Sequence, residues 1–155
     1  MLSETVGAGF AWRYEELGAK VRELAAPLSE EQFWTKPFGF GNSFGHLVLH
    51  LTGNLNYYIG SKVAASGYKR DRNREFTDPI CEPKEEVMKR FADAVAMVAR
   101  VARSQHEHDW GKEYKASLAE EVDNRFKIFL QCVTHLHLHI GQMIYLQFEL
   151  MRKWQ

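Results

Sequence analysis

The segment from Ile128 to Phe148 constrains the fold more than any other part of the chain, because it contains no formally charged residue. A segment of this length can cross a lipid bilayer. It also contains three histidines, three glutamines and a threonine, which make it too polar for a typical membrane span. We therefore expect a buried helix in a helical bundle, with no membrane partner.

Apolar residues recur at three- and four-residue steps in four parts of the chain, and no part alternates as a half-buried strand does. The predicted helices run from about Ser3 to Ala26, Ser43 to Ala64, Pro83 to Ser104 and Asp123 to Arg152. Only 11 glycines and 4 prolines interrupt the chain, which also favours long helices. The sequence predicts an all-α, four-helix, single-domain fold over residues 1–155, with connections long enough to cross the bundle or line a site.

Helix-capping residues mark several of the predicted boundaries. Ser29 is expected to begin a short turn that carries Phe33 and Trp34. Asn42 or Ser43 is expected to cap the second long helix, and Asp123 the fourth.

Composition excludes two broad classes of protein. The chain has 20 Lys and Arg against 20 Asp and Glu, and 45% of its residues are hydrophobic. Intrinsic disorder requires lower hydrophobicity and a larger net charge, and nucleic-acid binding requires a basic surplus. Two cysteines are too few for a disulfide framework, so we expect a cytoplasmic protein with reduced thiols.

The fourth predicted helix has two apolar faces. Since a helix turns by about 100° per residue, His139 lies about 40° from His135, whereas His137 lies on the far side. The residues that share the far side with His137 are Phe126, Leu130, Val133, Ile140, Ile144 and Phe148. One core covers one such face, so the other predicts a homodimer or coverage by a loop.

The pair His135 and His139 has the spacing that allows two imidazoles of one helix to bind the same metal ion. A third ligand is expected from the second helix, where His50 and His46 compete for the role. The polar residues within about 40° of His50 on that helix are Ser43, Asn54, Tyr57 and Ser61. Cys132 faces the same site and is either a fourth ligand or, as we favour, a small packing residue.

Simpler interpretations of these residues exist. Histidines inside a core are usually hydrogen-bonded core residues, and a run of charges is usually a solvated loop. The alternating charges between Arg70 and Phe76 also suggest a loop that docks through an arginine–carboxylate pair and an aromatic anchor. In a third interpretation, Arg70, Arg72 or Arg74 contacts an anion.

Three strings of the sequence, taken in order, resemble the DinB-like superfamily, and more narrowly a bacterial branch of unknown function. They are Gly41-Asn42-Ser43-Phe44-Gly45-His46-Leu47-Val48-Leu49-His50-Leu51-Thr52-Gly53-Asn54, then Arg70-Asp71-Arg72-x-x-Glu75-Phe76, then His135-x-x-x-His139-Ile140-Gly141-Gln142. The resemblance covers nearly the whole chain.

The resemblance implies a four-helix bundle with up-down-down-up connectivity, often dimeric. It implies a metal site formed by His50, His135 and His139, because the first ligand in the family lies seven residues after the serine that opens the helix. Gln142 would then be a supporting or packing residue. Apart from the resemblance, if the protein is an enzyme, we expect His46, Asn54 and Tyr57 to orient a substrate from the second helix. Characterised relatives include transferases and isomerases that use low-molecular-weight thiols.

Three histidines leave a coordination position open, which is typical of a catalytic site. Imidazole suits zinc, nickel, copper and iron, and we expect zinc or nickel. Our first hypothesis is a metal-dependent enzyme acting through an activated small thiol, similar to an S-transferase. The alternatives are a metal-dependent hydrolase that activates water, and a non-catalytic dimeric binding or stress protein. No Asp or Glu lies on either histidine face, which disfavours the hydrolase.

Overall fold

The computed structural model describes residues 1–77 and 79–153. Its helices are α1 (Leu2–Ala25), α2 (Glu30–Trp34), α3 (Phe44–Leu55), a π-helical segment (Asn56–Ser61), α4 (Arg74–Thr77), α5 (Lys84–Arg103), α6 (Glu107–Trp110) and α7 (Arg125–Lys153). The described residues contain no strand, and their one isolated β-bridge joins Glu113 to Asn124. The all-α prediction is therefore confirmed.

The four predicted long helices correspond to α1, α3 with the π-helical segment, α5 and α7. Ser29 and Ser43 cap α2 and α3, and each side-chain oxygen accepts a backbone N–H three residues later. The predicted cap of the last helix is wrong by one residue. Asn124 Oδ1 accepts the backbone N–H of Lys127 at 3.0 Å, while the Asp123 carboxylate pairs with the Lys127 ammonium. Asn124 therefore caps α7.

One hydrophobic core lies between the four long helices. Both α1 and α3 pack against α5 and against α7. Each helix buries large side chains there, including Tyr14, Leu51, Phe91 and Leu136. The hydroxyl of Tyr14 donates to the carbonyl of Phe129 at 2.6 Å, so this buried polar group is satisfied. The packing agrees with a four-helix bundle, and the up-down-down-up connectivity stays a prediction.

The two sides of α7 have different surroundings. Leu136, Met143 and Leu150 lie in the core. On the far side, Val133 and Ile140 are also buried within this chain, whereas His137 is exposed. The far side is therefore covered in part by the chain itself. Five apolar side chains of α7 remain well exposed, namely Phe126 (41%), Leu130 (45%), Leu138 (62%), Tyr145 (73%) and Phe148 (69%). Among the described residues, no helix is both long and apolar enough to cross a membrane.

Candidate metal centre

Three histidines from two helices meet at the contact between α3 and α7. His50 lies on α3, and His135 and His139 lie one turn apart on α7. One ring nitrogen from each lies within 4.8 Å of the other two. The Nε2 atoms of His50 and His135 are 2.9 Å apart. The helical spacing brings the α7 pair together, and the packing of α3 on α7 adds the third ring.

Two side chains fix the orientation of two of these rings, those of His50 and His139. A carboxylate can only accept a hydrogen bond, so His50 Nδ1 donates to Glu75 Oε2, 2.9 Å away. His139 Nδ1 likewise donates to the Gln142 carbonyl oxygen, Oε1, at 2.7 Å. With a proton on Nδ1, each ring keeps its Nε2 lone pair free for a ligand bond.

The Nε2 atom of His139 is buried and has no hydrogen-bond partner among the described residues. A buried acceptor without a partner is unfavourable unless another group satisfies it. A divalent transition metal would satisfy this nitrogen together with His50 and His135, and imidazole is a ligand that zinc and nickel accept. The three residues therefore fit the metal that the sequence predicted.

Burial favours the neutral form of His135 and His139. It lowers the pKa of His135 from 6.5 to about 4, with smaller contributions from His139, His50 and the nearby arginines. Burial also lowers the pKa of His139. Neutral imidazole is the form that binds a metal ion, so these rings need not lose a proton before binding at neutral pH.

Glu75 is the residue of the site that the sequence analysis did not identify. Its carboxylate accepts two hydrogen bonds from Arg70, at 2.7 Å from Nε and 2.9 Å from Nη2, as well as the bond from His50. The side chains of Arg70 and Glu75 are only 6% and 7% exposed. The residues on the histidine faces gave no indication of a carboxylate, because Glu75 comes from α4 in the connection between two long helices.

The segment from Arg70 to Phe76 docks as one interpretation of the sequence predicted. Arg70 and Glu75 form the arginine–carboxylate pair, and the ring of Phe76 lies 4.7 Å from that of His50. Gly53 permits the close approach, since a Cβ atom there would collide with the carboxylate of Glu75. The charged segment is therefore a packed part of the site.

A cavity of about 240 Å³ opens beside the cluster, and we call it the histidine cavity. The residues that line it are His50, Asn54, Tyr58, Arg70, Arg72, Leu118, Gln131, Cys132 and His135. Asn54 is thus placed next to His50, as the polar stripe suggested. Arg70 and Arg72 reach the cavity, whereas Arg74 lines a different one. An anion contact by any of these arginines stays a prediction.

The π-helical segment changes which tyrosine faces the cavity. A π-helical turn contains one more residue than an α-helical turn, so residues after Leu55 are rotated relative to the predicted α-helix. Tyr58 lines the cavity, in the place expected for Tyr57. The hydroxyl of Tyr57 instead lies 2.8 Å from Ser117 Oγ. The α-helical spacing used for the prediction could not reveal this change.

Three further predicted residues have distinct positions. His46 is buried near Trp34, and its Nδ1 lies 2.6 Å from Ser43 Oγ, so its ring is not part of the histidine cluster. Cys132 lines the cavity, but its sulfur is not among the converging ligand atoms. Burial raises the pKa of the Cys132 thiol to about 12. Gln142 contacts His139 directly, in the supporting position that the resemblance implied.

Comparison with family models identifies the family of this chain. None of the curated proteins matches the chain. A family model described as the DinB superfamily matches residues 13–143, which include all three histidines of the cluster and both residues that orient them. The match spans most of the chain and agrees with the all-helical structure. The chain belongs to the DinB superfamily.

Proposed function

We propose that this protein is a divalent-metal enzyme that transfers a small thiol to an electrophilic substrate. The observation that carries the proposal is the convergence of three imidazoles, one of which has a buried nitrogen without a partner among the described residues. His50, His135 and His139 would hold the ion. When bound, a divalent ion lowers the pKa of a thiol or water beside it and so supplies a nucleophile near neutral pH.

The residues of the chain would perform three tasks in this reaction. Glu75 and Gln142 hold the rings of His50 and His139 in the orientation that binds a metal. The histidine cavity holds the thiol next to the cluster. The sulfur forms a bond to the electrophilic carbon, the bond from that carbon to its leaving group breaks, and the leaving group departs with the electron pair. The thiol proton passes to solvent.

Thiol transfer is favoured over hydrolysis because a general base for water is not evident near the cluster. The carboxylate of Glu75 is already occupied by Arg70 and His50. Among the described residues, the lining of the histidine cavity contains no Asp or Glu. A thiol has a much lower pKa than water, so activating it places less demand on a base.

Elemental analysis after chelation and reloading tests the metal site. We expect about one zinc or nickel ion per chain in the wild type and a loss of binding in His50→Ala, His135→Ala and His139→Ala. His46→Ala and Cys132→Ala are the controls and should retain the metal, because neither side chain belongs to the cluster. Metal retained in any of the three histidine variants would contradict the proposed ligand set.

Assays of the reloaded protein then test the reaction. With a small thiol and 1-chloro-2,4-dinitrobenzene as substrates, the reloaded protein should release chloride faster than the metal-free protein does. The rate of ester hydrolysis should be the same with and without the metal. The reverse pattern would favour the hydrolase. If a protein that binds no metal showed no activity in either assay, the non-catalytic alternative would replace both.

We also propose that the protein is a homodimer that uses the exposed apolar side of α7. Leu138 and Tyr145 line an apolar groove of about 560 Å³ together with Phe38 and Phe40. Exposed apolar patches rimmed by polar residues often mark protein–protein interaction sites. Light scattering should give twice the chain mass, and Leu138→Glu should give the monomer. Trp12→Glu changes a similarly exposed side chain on α1 and should leave the dimer intact.

The cytoplasm is the proposed location. Both cysteines are free in the structure, with Cys81 exposed and Cys132 buried. Free thiols persist in a reducing compartment. Cell fractionation tests this location, and recovery in an oxidising compartment would contradict it.

A further inference from the structure

Arg72 places a positive charge without a carboxylate partner at the histidine cavity. Its guanidinium lies 5.8 Å from the centre of the Phe76 ring, which itself packs on His50. Arg72 is exposed at the mouth of the cavity and, within residues 1–77 and 79–153, forms no ion pair or hydrogen bond. The charge of Arg70 is different, because Glu75 already neutralises it. The cavity therefore has a net positive lining.

Asn54 adds an acceptor without a partner to the same cavity. It lies one helical turn after His50 on α3, and its side chain is almost completely enclosed, with the residue 6% exposed. Its Oδ1 atom is buried and receives no hydrogen bond from the described residues. A buried acceptor of this kind is normally satisfied by a donor, so the cavity lacks a donor group that a ligand can supply.

The two unpartnered groups together specify a ligand. A carboxylate complements Arg72, since guanidinium binds carboxylates through charge-assisted hydrogen bonds. A hydroxyl or amino group beside that carboxylate complements the Asn54 oxygen. The volume of about 240 Å³ is below the roughly 300–1,000 Å³ of typical drug-sized ligand sites, so the ligand is small.

We propose that the histidine cavity binds a small thiol acid, in which Arg72 holds the carboxylate and Asn54 accepts a hydrogen bond from a hydroxyl or amino group next to it. The sulfur of such a molecule points towards His50 and His135, which form another part of the cavity wall. This inference rests on the proposed function and names the class of thiol that it uses.

The test compares three thiols on the protein loaded with cobalt(II), in which binding of sulfur to the metal produces a charge-transfer absorption. The first is propane-1-thiol, which has neither a carboxylate nor a hydroxyl. The second, 3-mercaptopropionate, adds the carboxylate, and the third, 2-hydroxy-3-mercaptopropionate, adds the hydroxyl. We expect the carboxylate to tighten binding by about tenfold or more, and the hydroxyl to tighten it further.

The variants assign each preference to its residue. Arg72→Gln should bind 3-mercaptopropionate with the affinity of the neutral thiol, and Arg72→Lys should recover part of the preference for the carboxylate. Asn54→Leu should remove only the gain from the hydroxyl. Arg74→Gln is the matched control, because Arg74 lies on the same segment and lines a different cavity. Cobalt content is measured for every variant, so that a loss of metal is recognised.

The outcomes separate this inference from the proposed function. If the neutral thiol binds and the acids bind no better, or if Arg72→Gln keeps the preference, the thiol-acid inference is wrong while the metal-thiol function stands. If cobalt binds but none of the thiols produces the charge-transfer absorption, the proposed function itself fails. If the preference for the carboxylate disappears only in Arg72→Gln and the gain from the hydroxyl only in Asn54→Leu, the results support the thiol-acid inference and the proposed function.

Discussion

The carboxylate of Glu75 lies 2.9 Å from Nδ1 of His50, although the two residues come from different helices that are separated by a long connection. The same carboxylate is held by two hydrogen bonds from Arg70. The chain thus supports one of its three candidate metal ligands with a buried ion pair.

Replacing Glu75 by Gln should weaken metal binding about 10- to 100-fold, because such supporting hydrogen bonds orient a ligand and raise its basicity. The change also leaves the charge of Arg70 buried without a partner. We expect this to lower the free energy of unfolding by about 3–5 kcal/mol. Competition with a chelator measures the affinity, and urea unfolding measures the stability.

The double variant Arg70→Gln with Glu75→Gln separates these two effects. Without either charge, much of the lost stability should return, whereas the metal affinity should stay low. Full recovery of the affinity in the double variant would mean that Glu75 does not support His50.

Replacing Gly53 by Ala should destabilise the protein by about 1–3 kcal/mol, because the added methyl group overlaps the Glu75 carboxylate. Metal affinity should fall as well, since Glu75 must move away from His50. Gly9→Ala, on α1, is the matched control. It also lies in a helix, but nothing lies within 4 Å of its Cβ position, so alanine should stabilise by roughly 0.5–1 kcal/mol. Equal effects of the two substitutions on unfolding and on metal binding would contradict this explanation.

The metal-free protein should lose stability as the pH falls from about 6.5 to about 4. The folded state lowers the pKa of His135 from 6.5 to about 4, so between these values the unfolded state binds more protons. Acid therefore favours unfolding in this range. The pKa of His139 is lowered as well, and its contribution has the same sign.

Thermal unfolding midpoints at a series of pH values measure this dependence. His135→Gln should make the midpoint less sensitive to pH in this range. His137→Gln lies on the same helix with its side chain exposed, and it should leave the profile unchanged. A profile that is equally steep in all three proteins would show that the cluster is not its origin.

The two cysteines should differ in reactivity towards a thiol reagent such as dithionitrobenzoate. Cys81 is exposed, whereas Cys132 is buried with a pKa raised to about 12 and therefore contains almost no thiolate at neutral pH. One thiol per native chain should react quickly, and Cys81→Ser should abolish this reaction. Rapid labelling of Cys132 in the native protein would contradict its enclosed position.

The sequence was most informative where the evidence was local. Helical periodicity predicted the four long helices, and Ser29 and Ser43 begin helices as their types suggested. The spacing of His135 and His139 predicted that both rings lie on one face of α7. These relationships extend over one or two helical turns, so the helix geometry alone fixes them. The error at Asp123 is of the same local kind, because two adjacent residues were both good caps.

Local sequence evidence could not decide whether His46 or His50 meets the histidine pair of α7. Both lie on the same helix, and spacing alone left them open. Only the packing of α3 against α7 determines which ring meets the α7 pair, and it brings His50 there while His46 lies beside Trp34. The π-helical segment likewise places Tyr58 rather than Tyr57 at the histidine cavity. The hydrophobic periodicity of the sequence does not reveal the π-helical hydrogen-bonding pattern that causes this shift.

The sequence by itself therefore determined the helices, the histidine pair and a segment able to dock through an arginine–carboxylate pair. The tertiary structure decided which distant residues share one site: His50 with the α7 pair, Glu75 on His50, and Arg72 with Asn54 at one cavity. The physical reason is the range of the interactions. Helix periodicity and capping act between neighbours in the chain, whereas the site depends on how the helices pack and on where a long connection returns to them.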